Sequence, residues 1–140
     1  MTERELNEKK KEYLNQYKKA CCKLKSLEEQ LKEIRESKSS VQGIAYSDMP
    51  KGTNQSDLSD YMVEVDKLLS KIEKAKIDRL NAKLSIENKI ADMEDGLECD
   101  VLRNYYIKGM KWEEVCVAIG YSWRQTHRIH SRALQNLNIK

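Results

Sequence analysis

The sequence predicts an all-α protein: a long N-terminal antiparallel helical hairpin, coiled-coil-like in its packing, followed by a small C-terminal three-helix domain containing a helix-turn-helix. Charged residues make up 35% of the 140 residues and aromatic residues 6%, with no phenylalanine and one proline. That composition favours long solvent-exposed helices over a thick core. Apolar residues also recur at helical spacing in two long stretches. We therefore expect a hairpin domain at residues 1–95 and a second domain at residues 97–140.

The first long helix is predicted over about residues 3–36, where no glycine or proline interrupts a run of good helix formers. Its apolar residues follow a heptad pattern that is typical of a coiled-coil or helical-hairpin seam, with Lys10 as the exception. A single long helix is stable in water only if it buries such a stripe, so this helix needs a partner. The seam consists of Leu6, Tyr13, Tyr17, Ala20, Leu24, Leu27, Leu31 and Ile34.

The predicted partner is a second long helix over about residues 57–95, with Ser56 or Asp57 as its cap and Gly96 as its stop. Residues 37–56 between the two helices are rich in Ser, Asn and Gly and are predicted as a loop. The simplest arrangement folds the second helix antiparallel onto the first; pairing between two chains is the alternative. The second apolar stripe consists of Leu58, Tyr61, Met62, Val65, Leu68, Leu69, Ile72, Ala75, Leu80, Leu84, Ile90 and Met93.

Three shorter helices are predicted in the C-terminal domain. The first covers Leu97–Lys108 and ends at Gly109, and we expect it to pack across the two that follow. Those two are Trp112–Ile119 and Trp123–Asn136, joined by the turn Gly120–Ser122. The turn is supported by its end residues, because glycine adopts a left-handed conformation without steric cost and serine is a good N-cap. The predicted inner faces contain Val115, Cys116, Ile119, Thr126, Ile129, Ala133 and Leu137.

The outward face of helix 123–136 is basic, rich in hydrogen-bond donors and free of carboxylates, as a helix in a DNA major groove requires. Residues 100–140 carry a net charge of +4, whereas residues 1–99 carry −1. The positive excess therefore lies in the segment with this helix, a distribution typical of nucleic-acid-binding proteins. We predict that double-stranded DNA contacts Arg124, Gln125, His127, Arg128, Ser131 and Arg132, with Lys111 at a phosphate.

The segment Val101–Leu137 resembles region 4 of sigma-70-type RNA polymerase subunits, with helix 123–136 as its reading helix. The complete layout is still more similar to the sigma-like transcriptional regulators of prophages in Gram-positive bacteria, the group that contains late-gene activators. That likeness includes the long N-terminal helices, the SDMPKG loop at Ser47–Gly52, and the runs LRNYYIKGMKWEEV and GYSWRQTHRIHSRAL. The matching residues of region 4 are Val101–Leu102, Tyr106, Gly109, Glu114–Cys116, Ile119–Gly120, Ser122, Ile129, Ala133–Leu134 and Leu137.

The resemblance implies base and backbone contacts on the first two turns of the reading helix, at Trp123, Arg124, His127 and Arg128. Trp123 and His127 stand where the housekeeping pattern commonly has arginine, so the resemblance implies a target other than the ordinary −35 element. Residues 1–95 contain no match to the strand-melting region 2 of a full sigma factor. A complete promoter-opening sigma subunit is therefore not expected.

Other chemistries find little support in the sequence. No phosphate-binding loop, activated nucleophile or paired carboxylate is present, so we predict no enzyme and no cofactor. The four cysteines lack metal or disulfide spacing, and His127 and His130 are interpreted as polar residues on an exposed helix rather than metal ligands. Trp112 and Trp123 are interpreted as partly buried anchors. Without a signal peptide or membrane-spanning run, we expect the protein in the bacterial cytoplasm, associated with the nucleoid.

The leading hypothesis is a sequence-specific regulator of phage or prophage transcription, of the activator class, whose hairpin dimerises or touches host RNA polymerase. One alternative is a DNA-packaging protein resembling terminase small subunits, although those usually place the DNA-binding motif before the oligomerising helices. A second is a coiled-coil interaction protein with no role at DNA. Ring-sized oligomers would favour packaging, and absence of salt-sensitive DNA binding would favour the interaction protein.

Overall fold

A computed structural model describes the backbone of residues 1–45 and 54–139 and the side chains of residues 1–37 and 58–139. The predicted all-α class is confirmed: within the described residues the chain forms helices and no strand, and the long first helix packs against the second. None of the described helices is long and apolar enough to cross a membrane. The helices are α1 (Glu3–Ala45), α2 (Asn54–Ala91), α3 (Gly96–Leu102) with a following π-helical turn (Arg103–Ile107), α4 (Trp112–Ile119) and α5 (Trp123–Asn136).

The bounds of the two long helices differ from those predicted. Helix α1 continues to Ala45 instead of ending near residue 36, and α2 runs from Asn54 to Ala91 instead of covering residues 57–95. Residues 37–42 contain neither glycine nor proline, and each costs less than about 0.7 kcal/mol in a helix, so a serine-rich composition did not end α1. The remaining part of the predicted loop, residues 46–53, lies outside the described residues.

The boundary between α2 and α3 was also placed wrongly, at Gly96. The carboxylate of Asp95 accepts hydrogen bonds from the backbone N–H groups of Leu97 (2.9 Å) and Glu98 (3.2 Å), so Asp95 is the N-cap and Gly96 is the first residue of α3. An N-cap side chain satisfies backbone donors that have no partner inside the helix. Gly96 therefore does not end α2 as predicted. The informative residue at this boundary is Asp95, which marks the start of α3.

The predicted single helix over residues 97–108 is divided into two kinds of helix. After α3 the backbone widens into the π-helical turn, where the N–H of Lys108 donates to the carbonyl of Arg103 at 2.9 Å. Gly109 then adopts a φ of 70°, in the left-handed region that glycine enters without steric cost. A π-helical turn inserts one extra residue into a helix and changes the direction of the side chains after it.

The described residues form two compact units. The unit of residues 22–78 contains the later part of α1 and the earlier part of α2. Leu24 and Leu31 of α1 pack with Leu68, Ile72 and Ala75 of α2 in one buried cluster. Pairing of the two helices within one chain, the simpler of the two predicted arrangements, is therefore confirmed.

The other unit combines residues 1–21 with residues 79–140. Its larger core brings together α1, α2, α3, the π-helical turn and α5, through Leu14, Ile86, Ile90, Leu102, Tyr106, Ala133, Leu134 and Leu137. A smaller cluster of Val101, Val115 and Ile129 joins α3, α4 and α5. The predicted packing of the third helix across the following pair is thus confirmed. The predicted domains at residues 1–95 and 97–140 stay a prediction.

Six residues of the predicted apolar stripes are exposed instead of buried: Leu6, Leu58, Met62, Leu69, Leu80 and Leu84. Leu80 is 54% exposed and Leu84 is 49% exposed, whereas Ile86 is fully buried. The heptad positions of α2 that follow Ala75 are Arg79 and Ala82, which are partly buried and were not predicted because neither is a large apolar residue. The seam keeps its helical spacing, and the large apolar residues Leu80 and Leu84 lie outside it.

Candidate nucleic-acid interface

The predicted turn between α4 and α5 is present, and both helices have the predicted bounds. Gly120 has a φ of 75° and a ψ of 30°, and its N–H donates to the carbonyl of Cys116 at 2.9 Å, so it ends α4. The Ser122 hydroxyl accepts from the N–H of Gln125 at 3.2 Å and caps α5. Lys111 precedes α4 without a side-chain capping bond, in keeping with the poor capping ability of lysine.

Helix α5 has one buried face and one charged face. Five of its residues and the following Leu137 are buried, and they form its contact with the rest of the unit. On the opposite face Arg124, Arg128 and Arg132 are exposed, and because they are four residues apart their side chains lie along one side of the helix. We call these three residues the arginine ridge. The buried residues are Thr126, Ile129, His130, Ala133, Leu134 and Leu137.

The arginine ridge has no internal counter-charge. Among the described residues, no carboxylate lies within 4.0 Å of Arg124, Arg128 or Arg132; the ion pairs that include an arginine involve Arg103 with Glu87. Arginine keeps its charge at all physiological pH values and offers donors arranged for two-point contacts with phosphate or base edges. The ridge therefore presents three unpaired guanidinium groups to solvent.

A groove borders one side of the ridge. It has a volume of about 500 Å³ and is open to solvent. Apolar side chains from three elements form part of its wall, while four of the predicted contact residues supply polar and charged groups. Tyr121, in the turn and 42% exposed, was not predicted, although its position directly before the helix cap is a signal that could have identified it. The lining residues are Leu97, Tyr121, Gln125, Arg128, Ile129, Ser131 and Arg132.

The other side of the ridge carries aromatic rings. His127 lies between Trp112 and Trp123, with ring centroids 4.6 Å from each. Trp112 is partly buried, as predicted. Trp123 is more exposed than the partly buried anchor that was predicted, with 50% of its surface accessible. The His127 Nε2 atom is buried and has no hydrogen-bond partner among the described residues.

His130 lies in the interior, and its interpretation as a residue on an exposed face is wrong. It is 8% exposed, and its Nε2 atom is 2.9 Å from the hydroxyl of Tyr106. Burial lowers the pKa of His130 to about 4, with smaller electrostatic contributions from the neighbouring Lys11 and His127. The pKa of Tyr106 is raised, mainly by burial. The inner face of α5 therefore carries a neutral imidazole that is paired with the hydroxyl of Tyr106.

The last turn of α5 is held by polar contacts with two other helices. The Lys10 ammonium donates to the carbonyl of Leu134 at 2.7 Å and to that of Gln135 at 3.3 Å. These carbonyls lack helical partners and carry the negative end of the helix dipole. The Gln135 amide donates to Glu3 at 2.7 Å, and the Asn136 amide donates to both carboxylate oxygens of Glu98 at 3.2 and 2.9 Å.

The eight predicted contact residues are thus only partly brought together. Gln125, Arg128, Ser131 and Arg132 line the groove. Arg124 extends the ridge toward the start of α5, while Trp123 and His127 belong to the aromatic side. The Ser131 hydroxyl donates to the carbonyl of His127 at 3.1 Å, so its oxygen remains available as an acceptor. Lys111 is exposed before α4 and does not line the groove.

Fold and surface together define an all-α chain that presents a basic ridge on its last helix, flanked by a groove and by aromatic rings. The chain belongs to the DUF1492 family, described as a protein of unknown function, whose model matches residues 38–138. No curated protein and no solved structure matches the chain.

Proposed function

We propose that this protein is a sequence-specific double-stranded DNA-binding regulator of phage or prophage transcription. In this proposal α4 and α5 act as a helix-turn-helix and α5 enters the major groove. The observation that carries the proposal is the arginine ridge, three exposed guanidinium groups on one face of α5 with no carboxylate partner among the described residues. A helix with this surface suits both the phosphates and the guanine edges of the major groove.

The surroundings of the ridge support the same assignment. The reading helix of a helix-turn-helix must be rigidly placed, because base edges are recognised by hydrogen bonds of fixed length. That rigidity comes from the caps at Ser122 and Asp95. It also comes from the contacts of Lys10 with the last carbonyls of α5. The groove beside the ridge adds the amide of Gln125, which fits the N6 and N7 atoms of adenine.

The proposal also gives a role to the two long helices of the hairpin and a location to the protein. The paired long helices would dimerise or contact host RNA polymerase, so that the protein acts as an activator in the cytoplasm, at the nucleoid. The resemblance to sigma-like prophage regulators in the sequence supports this role. No catalytic step and no cofactor is part of it.

Fluorescence anisotropy with labelled duplex DNA tests the proposal. If the three arginines and one nearby lysine meet about four phosphates, log affinity falls with log salt concentration with a slope of roughly −3 to −4. Replacing Arg124, Arg128 and Arg132 together by Gln should remove roughly three quarters of that slope. The matched control replaces Lys23, Lys25 and Arg35 by Gln, because these are exposed residues of α1 with the same total charge.

The two triple variants separate the possible outcomes. Loss of salt-dependent binding in the α5 variant only would support the proposal. Equal losses of salt-dependent binding in both variants would mean that DNA binding is a general effect of positive charge and is not specific to α5. A flat salt response of the unaltered protein would contradict DNA binding and favour an interaction protein, and ring-sized oligomers in light scattering would favour a packaging protein.

A further inference from the structure

A continuous series of side-chain contacts, with one stacked pair, two tilted ring contacts and one cation over a ring, leads from α1 to the first residue of α5. Lys18 Nζ lies 5.2 Å from the ring centroid of Tyr105, and Tyr105 stacks on Trp112 with centroids 4.0 Å apart and planes at 17°. Trp112 is 4.6 Å from His127, and His127 is 4.6 Å from Trp123. We call these five residues the aromatic stack. Its outer end is Trp123, and every other member supports that ring directly or through a neighbour.

His127 is poorly placed to read a base. Both Trp112 and Trp123 pack against its ring, and its Nε2 atom is buried without a hydrogen-bond partner among the described residues. A histidine that reads a base edge has to bring a ring nitrogen within hydrogen-bond distance of it. The position of His127 instead suits a spacer that fixes the distance and tilt between the two indole rings.

Trp123 is well placed for contact. It is the first residue of α5 and is 50% exposed, while His127 supports it four residues later along the helix. The N-terminal residues of a reading helix are those that reach base edges. An indole ring whose support is already in place gains contact area at little cost in side-chain entropy.

We infer that Trp123 packs against the 5-methyl group of a thymine in the major groove, and that His127 is a positioning residue that acts through Trp123. The inference rests on the proposed function and names a part of its target. The thymine methyl is the apolar group that distinguishes base pairs in the major groove, and it is the natural partner for an exposed ring beside polar, guanine-reading arginines. The aromatic stack thus adds a thymine preference to the specificity of the ridge.

The test begins with selection of duplexes from random DNA by the unaltered protein. The best duplex is then synthesised with deoxyuridine in place of each thymine in turn, which removes one methyl group and preserves base pairing. Loss of one buried methyl should weaken binding of the unaltered protein by roughly three- to fivefold at one or two positions. Trp123→Ala should bind the thymine and uracil duplexes equally at those positions.

Two substitutions at His127 separate positioning from direct reading. His127→Phe keeps a flat ring between the two indoles but has no nitrogen, so it should retain the discrimination between thymine and uracil. His127→Ala removes the support and should lose that discrimination. Val117→Ala is the control, because Val117 is an exposed apolar residue of α4 that belongs neither to the groove nor to the aromatic stack and should leave the discrimination unchanged. Far-ultraviolet circular dichroism and thermal unfolding of each variant verify that it is folded.

The outcomes distinguish this inference from the proposed function. If the unaltered protein selects no sequence, both are overturned. If it selects a sequence with no methyl-sensitive thymine, or if Trp123→Ala keeps the methyl sensitivity, the thymine contact is overturned and the DNA-binding function stands. If His127→Phe loses the discrimination as His127→Ala does, the positioning role of His127 is overturned. The methyl effect is measured first with the unaltered protein, so the thymine contact is tested even where a variant does not fold.

Discussion

The ammonium group of Lys10 lies 2.7 Å from the carbonyl oxygen of Leu134, so a residue near the start of the chain caps the last turn of its final helix. Lys10 is the one charged residue among the seam positions of α1 between residues 6 and 34, and it is 6% exposed. Burial lowers its pKa. Its place in the seam is explained by the carbonyl groups it meets, because an ammonium group can satisfy acceptors that an apolar side chain would leave unpaired.

Replacing Lys10 by Met should lower the free energy of unfolding by about 1–3 kcal/mol. The substitution keeps the length of the side chain but leaves buried carbonyl oxygens without a donor. Urea-induced unfolding measures the change. Lys9→Met is the control, since Lys9 is exposed on the same turn and should change the stability by less than about 0.5 kcal/mol. Equal effects of the two substitutions would mean that the buried hydrogen bonds contribute nothing.

Stability should fall between pH 7 and pH 5 because of His130. Its pKa of about 4 in the folded protein is below the usual 6.5, so the unfolded chain takes up a proton first as the pH falls. The contribution of this group is therefore complete above pH 6.5 and is lost toward pH 4, by about 2 kcal/mol at pH 5.

Denaturant titrations at several pH values measure this dependence. His130→Gln should be less stable than the unaltered protein at pH 7 and should show a weaker fall between pH 7 and pH 5, since glutamine does not titrate there. A variant with the same pH dependence as the unaltered protein would show that other groups cause it. His127→Gln serves as the comparison with the second histidine of the chain.

Leu24→Ala should lower the free energy of unfolding by about 2–5 kcal/mol, the range found for buried leucines. Leu24 is 2% exposed in the core between α1 and α2. Leu27 is partly buried against the same core, and its replacement should cost less. The control is Leu69→Ala, because the sequence placed Leu69 in the same kind of stripe but it is 41% exposed. A loss at Leu69 as large as that at Leu24 would contradict the observed packing.

Arg128→Ala should relax the preference for one or two base pairs, and its loss of non-specific affinity should not exceed that of a single phosphate contact. A two-point contact of arginine with guanine discriminates against other bases by about 1–3 kcal/mol. Arg132 lies one turn further along α5, where a reading helix leaves the floor of the groove. Arg132→Ala should therefore weaken binding to all sequences alike. Selection from random DNA with each variant measures both effects; an unchanged motif for Arg128→Ala would show that Arg128 does not read bases.

The local signals of the sequence predicted the α4–α5 pair to the residue. Gly120 and Ser122 act through their own backbone conformation and the next few residues, so they can be recognised without knowledge of the tertiary structure. The contact of Lys10 with α5 joins residues 124 positions apart and has no local signal. The same is true of His130, whose burial depends on Tyr106 and on the rings around it.

The predictions of helix ends and of seam positions were wrong for a different reason. The serine-rich end of α1 and the glycine at position 96 were interpreted by composition, which describes averages over many proteins. Leu80 and Leu84 were assigned to the seam because they are large and apolar, but the seam follows geometry and passes through Arg79 and Ala82. The arginine ridge could be predicted because exposure on an amphipathic helix follows from the positions of the buried residues alone.

The unit that carries the arginine ridge is discontinuous in the chain, and this has a consequence for the order of events during synthesis. Residues 1–21 leave the ribosome first, yet Leu14 and Lys10 find their partners only when α2 and α5 have been made. At ordinary translation speeds this delay is on the order of ten seconds. During that time the beginning of α1 lacks its packing partners in this unit, and α5, which carries the ridge, can join the unit only after the other elements have been made.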